Sequence, residues 1–267
     1  MSFNSSYSIY YQLPPFTALG FRDTLGTLVN QDLTYISTEH YVAGFAYYLP
    51  FNAKISLEGF YKNYGNYPFL TERGITLANL GSDFGVIGNE PATSTSAGRA
   101  YGLEFLYQQK LYDGWFGTLA YTLVKSEFED QNGALIPSSW DNQNIITITG
   151  GKKFGKNWEL GVQYQFLGGA PFTPTDVETS SLVQVYNVNR RGLPDWNRLN
   201  QSRFANFNRL NLRVDKKWFF ENWSLNLYFD IQNALGQSID GEPLLTLNRD
   251  ANGNPVILNP TAPAEQQ

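Results

Sequence analysis

The stretch "AKISLEGFYK" alternates along residues 53–62. Ala53, Ile55, Leu57, Gly59 and Tyr61 are small, apolar or aromatic. Lys54, Ser56, Glu58 and Lys62 between them are polar, and only Phe60 breaks the set. A period of two predicts a β-strand with two unlike faces. The pattern recurs. In 157–168, Trp158, Leu160, Val162, Tyr164 and Phe166 oppose Asn157, Glu159, Gly161, Gln163 and Gln165. In 222–233, Trp223, Leu225, Leu227, Phe229 and Ile231 oppose Ser224, Asn226, Tyr228, Asp230 and Gln232. In 206–219, Leu210, Leu212 and Val214 oppose Arg209, Asn211, Arg213 and Asp215. Nine strands are predicted, at about 2–13, 36–50, 51–64, 98–111, 115–127, 143–154, 157–168, 206–219 and 222–233. No comparable stretch carries a clean helical period.

Each predicted strand runs roughly 11–14 residues, against a mode of about 5–6 in soluble sheets. A tilted strand that crosses a bilayer needs about 9–11. The connections alternate strictly. Tight turns fall at "LPFN", "LYDG", "KFGK" and "FFEN", and long segments at about 14–35, 65–97, 128–142 and 169–205. Membrane barrels keep tight turns at one end and long loops at the other. Aromatics flank every short turn: Tyr47, Tyr48 and Phe51; Tyr112, Trp115 and Phe116; Phe154 and Trp158; Trp218, Phe219, Phe220 and Trp223. Such rings favour the headgroup level, where the ring is buried and its polar tip is wet. The pattern therefore predicts an all-β, antiparallel up-and-down transmembrane sheet of about 9–10 strands. Ile55, Leu57, Tyr61, Leu160, Val162, Leu225 and Leu227 are expected to face lipid, and Lys54, Glu58 and Lys62 a wet interior. Tyr47, Tyr48, Trp115, Trp158, Trp218 and Trp223 are expected at the membrane interface.

Composition agrees. Charged residues are 16% of the 267, against about 25% in soluble proteins, and aromatics are also 16%. The mean hydropathy is nevertheless −0.34, because Asn, Gln, Ser and Thr supply the polarity. A net charge of −5 without a basic run argues against nucleic acid as a partner. With no cysteine there is no disulfide or thiolate metal site. No apolar run approaches the roughly 18 residues of a membrane helix. The opening "MSFNSSYSIY" has neither a basic start nor an apolar core, so it does not read as a signal peptide.

Chemistry is sparse. His40 is the only histidine, and it lacks partners at the spacings of a zinc site or a catalytic triad. No catalytic residue, metal ligand or cofactor is expected. "GSDFGVIG" at 81–88 lacks the Gly-Lys-Ser/Thr ending of a phosphate loop. "NRDANG" at 248–253 imitates the start of a calcium loop, but Asn259 stands where the bidentate Glu belongs, so a tight turn is expected. Candidate ligand contacts fall in the long loops. They are Asp83 and Glu90 in "GSDFGVIGNEP", and Arg190, Arg191, Asp195, Trp196 and Arg198 in "NRRGLPDWNRLN". An aromatic among hydrogen-bonding groups suits a sugar or a peptide.

Five segments carry a family resemblance: "YSIYYQLPPF" (7–16), "EHYVAGFAYYLPFNAKISLEGFYKNYGNYP" (39–68), "GRAYGLEFLYQQKLYDGWFGTLAYTLVKSEF" (98–128), "WDNQNIITITGGKKFGKNWELGVQYQFLGGAPFTP" (140–174) and "NRLNLRVDKKWFF…WSLNLYFDIQNAL" (208–235). In order and spacing they resemble the C-terminal part of the barrel of a TonB-dependent outer-membrane receptor of the Bacteroidota type. The resemblance implies a 22-stranded barrel in outer-membrane lipid, filled by an N-terminal plug. It implies active uptake of a siderophore, glycan or peptide, energised through a TonB box before the plug. A surface lipoprotein is a candidate partner. On this resemblance residues 1–267 correspond to the C-terminal barrel portion, without plug, TonB box or signal peptide, and TonB contact would run only through a more N-terminal part. An open, curved sheet is expected rather than a closed barrel. A passive porin-like barrel and an adhesion barrel are the alternative readings.

Overall fold

A computed structural model describes residues 1–80, 88–239, 241 and 243–259. Nine long strands follow the alternating segments: β1 Ser2–Gln12, β2 Ile36–Leu49, β3 Ala53–Leu70, β4 Ala92–Tyr112, β5 Trp115–Glu129, β6 Asn144–Phe154, β7 Trp158–Leu167, β8 Phe207–Phe219 and β9 Ser224–Ile231. Each pairs antiparallel with its sequence neighbours, in the order β1 to β9. The sheet is open, with β1 and β9 as its edges. All four tight turns lie at one end and the four long connections at the other, as the alternation of lengths requires. Among the described residues the short α-helices, Phe16–Leu19, Val177–Ser180 and Val183–Asn189, lie in the long connections.

Register turns nine separate alternations into two continuous faces. Leu57 stands opposite Phe45 on β2 and Phe105 on β4, and Phe105 opposite Tyr121 on β5. Val162 pairs with Leu212, and Leu212 with Ile231. A one-residue slip at any hairpin would flip the rest to the other side. Ile55, Leu57, Tyr61, Leu160, Val162, Leu225 and Leu227 thus share one apolar face. That face is the more exposed one: Leu57 is 49% exposed and Leu227 63%, while Asp215 on the opposite face is 8% exposed. A soluble barrel would show the reverse.

The polar face is knitted by side chains. Asn4 donates to Glu58 across Gly44 at 3.2 Å. Asn211 donates to Gln163 at 2.9 Å, and Arg213 forks onto Asp215 with two 2.8 Å bonds. Phe60, the residue that breaks the alternation, lies on this face over Gly102. A Cβ at Gly102 would stand 2.9 Å from the Phe60 ring and 2.0 Å from the Leu123 carbonyl oxygen, so only glycine fits beneath the ring. His40 sits on the polar face too, opposite Lys62, its ring 4.7 Å from that of Tyr10.

Two sequence expectations change and one holds. The β3–β4 hairpin runs further than expected, to Leu70 and back from Ala92. Gly65 and Pro68 and two register shifts, between Tyr64, Tyr67 and Phe69, obscure the period there. Tyr48 pairs with Lys54 and so lies on the polar face, unlike Tyr47, Trp115, Trp158 and Trp218. The period of two that separates strand faces also separates adjacent residues of an interface cluster. As expected, the tail makes a tight turn, closed among the described residues by a bridge from Arg249 to Pro255. There the Asp250 carboxylate accepts the backbone N–H groups of Asn252 and Asn254 at 2.8 Å.

A second aromatic row, missed in the sequence, marks the long-loop end of the apolar face. Tyr7, Tyr41, Tyr61 and Tyr101 stand side by side on four strands, their ring centroids 4.9, 6.4 and 6.2 Å apart. Lys125 continues the row on β5. From Trp115 at the tight-turn end to Lys125, ten residues at about 3.4 Å each, tilted about 40°, rise about 26 Å; the apolar band of membrane barrels is about 25 Å tall.

The long connections form one cluster held by polar knots. Asn30 donates to the carbonyls of Ala18 and Glu90, both at 2.9 Å, and accepts from Ala92 N–H. Asn200 donates to the carbonyls of Asn79 (2.9 Å) and Pro137 (2.8 Å), joining three loops around Leu70, Ile75, Leu77 and Leu199. Asn200→Ala strands two carbonyls, and about 1–3 kcal/mol of local stability should be lost. Hydrogen exchange should speed up over 71–80 and 135–137 while the sheet stays protected; unchanged exchange would contradict the knot.

Candidate functional site

A cavity of about 840 Å³ opens among the long connections. Arg73, Thr173, Arg190, Arg191, Leu193 and Trp196 line it, with Asn89 and the tail segment 243–246. Each segment is positioned locally. The Asp176 side chain caps the helix Val177–Ser180 by accepting from Thr179 N–H at 3.0 Å. A neighbouring hydroxyl keeps its carboxyl below the usual range, together with that backbone N–H. A two-residue ladder, Thr175–Pro194 and Asp176–Leu193, closes the loop. The helix Val183–Asn189 ends at Arg190, which takes the left-handed conformation (φ 56°) and donates its N–H to the Tyr186 carbonyl at 2.8 Å. A non-glycine residue there is uncommon, and such backbones gather at functional sites.

The expected ligand residues divide. Arg190, Arg191 and Trp196 come together at the cavity. Asp195 and Arg198 do not join them: Asp195 accepts from Arg198 Nε at 2.7 Å and from Asn197 N–H at 3.1 Å. This pair shapes the turn that presents Trp196. Glu90 is buried and is not among the described lining residues, though it follows Asn89, which is. Arg73 Nε stands 2.9 Å from Glu90 Oε1, yet among the described residues no directed hydrogen bond reaches either oxygen, so this contact is ionic but poorly aligned. Burial pushes the Glu90 carboxyl up, opposed by the charge of Arg73. Asp83 lies outside the described residues.

Arg73 is the member that sequence reasoning missed. Its guanidinium lies over the Trp196 ring, 5.4 Å from the centroid, a cation–π contact that orients both. Arg73 and Trp196 are far apart in the chain, and one arginine in "TERG" carries no motif. The described lining residues include three guanidiniums and no carboxylate. Guanidinium forks match carboxylate and phosphate oxygens two at a time, and an indole offers an apolar plate. The arrangement suits a multiply anionic ligand with a flat or ring-shaped part.

No protein-family model and no curated protein matches the sequence. Solved structures match its fold. The ferripyoverdine receptor of the outer membrane of Pseudomonas aeruginosa, bound to ferripyoverdine, aligns with a TM-score of 0.58 at 15% identity, over 91% of this chain and 29% of that one. The ferric-catecholate import receptor Fiu from E. coli K12 gives 0.58 at 11% identity, over 89% and 29%. The FrpB iron transporter from Neisseria meningitidis gives 0.55 at 13%, over 88% and 32%. The chain thus spans about three-tenths of these structures, and its fold is that of an antiparallel part of their large barrels.

Proposed function

We propose that the chain is barrel wall and external loops of a TonB-dependent outer-membrane receptor that takes up an anionic nutrient. Arg190 and Arg191, lining one cavity with the Arg73–Trp196 pair, carry this reading. They favour a ferric siderophore or an acidic peptide over a neutral glycan, because Arg73 already faces Glu90 and a neutral sugar does not offset the desolvation of Arg190 and Arg191. The exposed apolar face, about 26 Å tall between aromatic rows, supports an outer-membrane location. Energy coupling belongs to the plug and TonB box that the resemblance implies, and the Bacteroidota-type segments extend the reading to a surface lipoprotein partner.

The test is binding to the chain refolded in detergent micelles. An anionic ferric tris-catecholate should quench tryptophan fluorescence, and Trp196→Phe should reduce the signal. Arg191→Gln removes charge-assisted hydrogen bonds and should weaken binding about 10- to 100-fold. Equal binding of a neutral oligosaccharide, or no effect of Arg191→Gln, would overturn the proposal.

A further inference from the structure

A second large cavity lies on the apolar face. It is a groove of about 900 Å³, lined by Tyr41, Ala43, Gly59, Tyr61, Leu103 and Lys125, among others. Register places all six on that face. Ala43 and Gly59 are paired neighbours and leave a shallow floor. The tyrosine row walls the groove toward the long loops, and Leu103, opposite Gly59, and Leu123, opposite Leu103, stand at the level of that floor on the β5 side. From β2 to β6 it crosses four strand spacings of about 4.8 Å, or about 19 Å.

Its loop-side end is charged. Glu127, nearly buried, holds two cations: Lys125 Nζ at 2.6 Å and Arg99 Nη2 at 3.0 Å. Both cations remain partly exposed, at 49% and 38%, and both keep donors that Glu127 does not use. Arg99 also lies over the Tyr101 ring, 5.5 Å from its centroid. Of the other carboxylates at this end, Glu39 accepts from the Tyr41 hydroxyl, and Glu129 lies two residues nearer the loops. An apolar trough just below the tyrosine row, with two cations at and just above it, matches the division of a lipid into acyl chain and phosphate.

We infer that this groove is a specific site for a phosphate-bearing membrane lipid of net negative charge. One acyl chain lies over Ala43 and Gly59, and the headgroup phosphate meets Lys125 and Arg99. The inference rests on the membrane-spanning reading, and its test separates the two. Gly59 is not in the left-handed region, and an added Cβ would meet Leu103 at an ordinary 3.5 Å. Gly59→Val therefore has room for its Cβ, raises the floor and suits a strand.

The experiment is native mass spectrometry of the full chain in detergent, titrated with dimyristoylphosphatidylglycerol or with dimyristoylphosphatidylcholine. The wild type should retain one anionic lipid preferentially. Gly59→Val should abolish retention of that lipid while circular dichroism stays unchanged. Lys125→Gln should weaken the anionic lipid about fivefold, the effect of one basic side chain at a membrane surface, and leave the zwitterionic lipid unaffected. Should the chain insert into vesicles yet bind both lipids alike, with Gly59→Val silent, the groove site is wrong and the membrane reading stands. If the chain is soluble and monomeric without detergent, both are wrong.

Discussion

Arg203→Ala should loosen the loop cluster by about 3–5 kcal/mol, the cost of leaving a buried charge without its partner. The Asp141 side chain is 1% exposed. One carboxylate oxygen accepts the Ser126 N–H at 2.9 Å, and the other accepts from Arg203 Nη2. Arg203 also donates to the Gly169 carbonyl at 3.0 Å, so one side chain joins the connections on both sides of β6 and β7. Without it, Asp141 is left charged under the loops with a single donor, and the segment 168–206 loses an anchor. Limited proteolysis in micelles should then nick 168–206 at least tenfold faster while the strands stay protected. The double variant Asp141→Asn with Arg203→Gln removes both charges and should recover part of the loss. Proteolysis at the wild-type rate in Arg203→Ala would mean that the pair does not hold the loops.

Leu57→Arg should cost about 2–4 kcal/mol when the chain is folded in a bilayer, whereas Ser56→Arg, one residue away, should cost little. Leu57 lies about midway between Tyr61 and the tight turn at 51–52, close to the centre of the apolar band. Ser56 is on the polar face beside Glu58 and Lys54. The contrast tests the side facing lipid, since a soluble sheet would tolerate Arg equally at an exposed Leu57. Urea titration in vesicles, followed by tryptophan emission, gives both values. Equal costs for the two variants would remove the lipid assignment of the apolar face.

Strand number, pairing order and the two faces were legible in the sequence because each depends on local period and on turn length. Alternation at 53–62, 157–168 and 222–233 needs no distant partner to be read. The hairpin beyond Tyr64 was not legible, since Gly65, Pro68 and the register shifts break the period that carries the signal. The tyrosine row was missed for another reason. Tyr7, Tyr41, Tyr61 and Tyr101 are far apart in the chain, and only the register sets them at one height.

The candidate site divides along the same line. Arg190, Arg191 and Trp196 stand within seven residues of one another, so their grouping was visible as composition in a long loop. What Asp195 and Arg198 do was not visible, because a capping carboxylate and a ligand carboxylate look alike until the backbone N–H groups are placed. Arg73, Asn30, Asn200 and the Arg203–Asp141 pair belong wholly to the tertiary structure. Their partners lie 60 or more positions away in most cases, and irregular loops have no period from which such pairing can be inferred. By itself the sequence determined a two-faced antiparallel wall with long loops at one end, because backbone pairing and side-chain alternation are local rules. Only the folded loops decided which charges meet, because those contacts depend on where non-repeating chain segments come to rest.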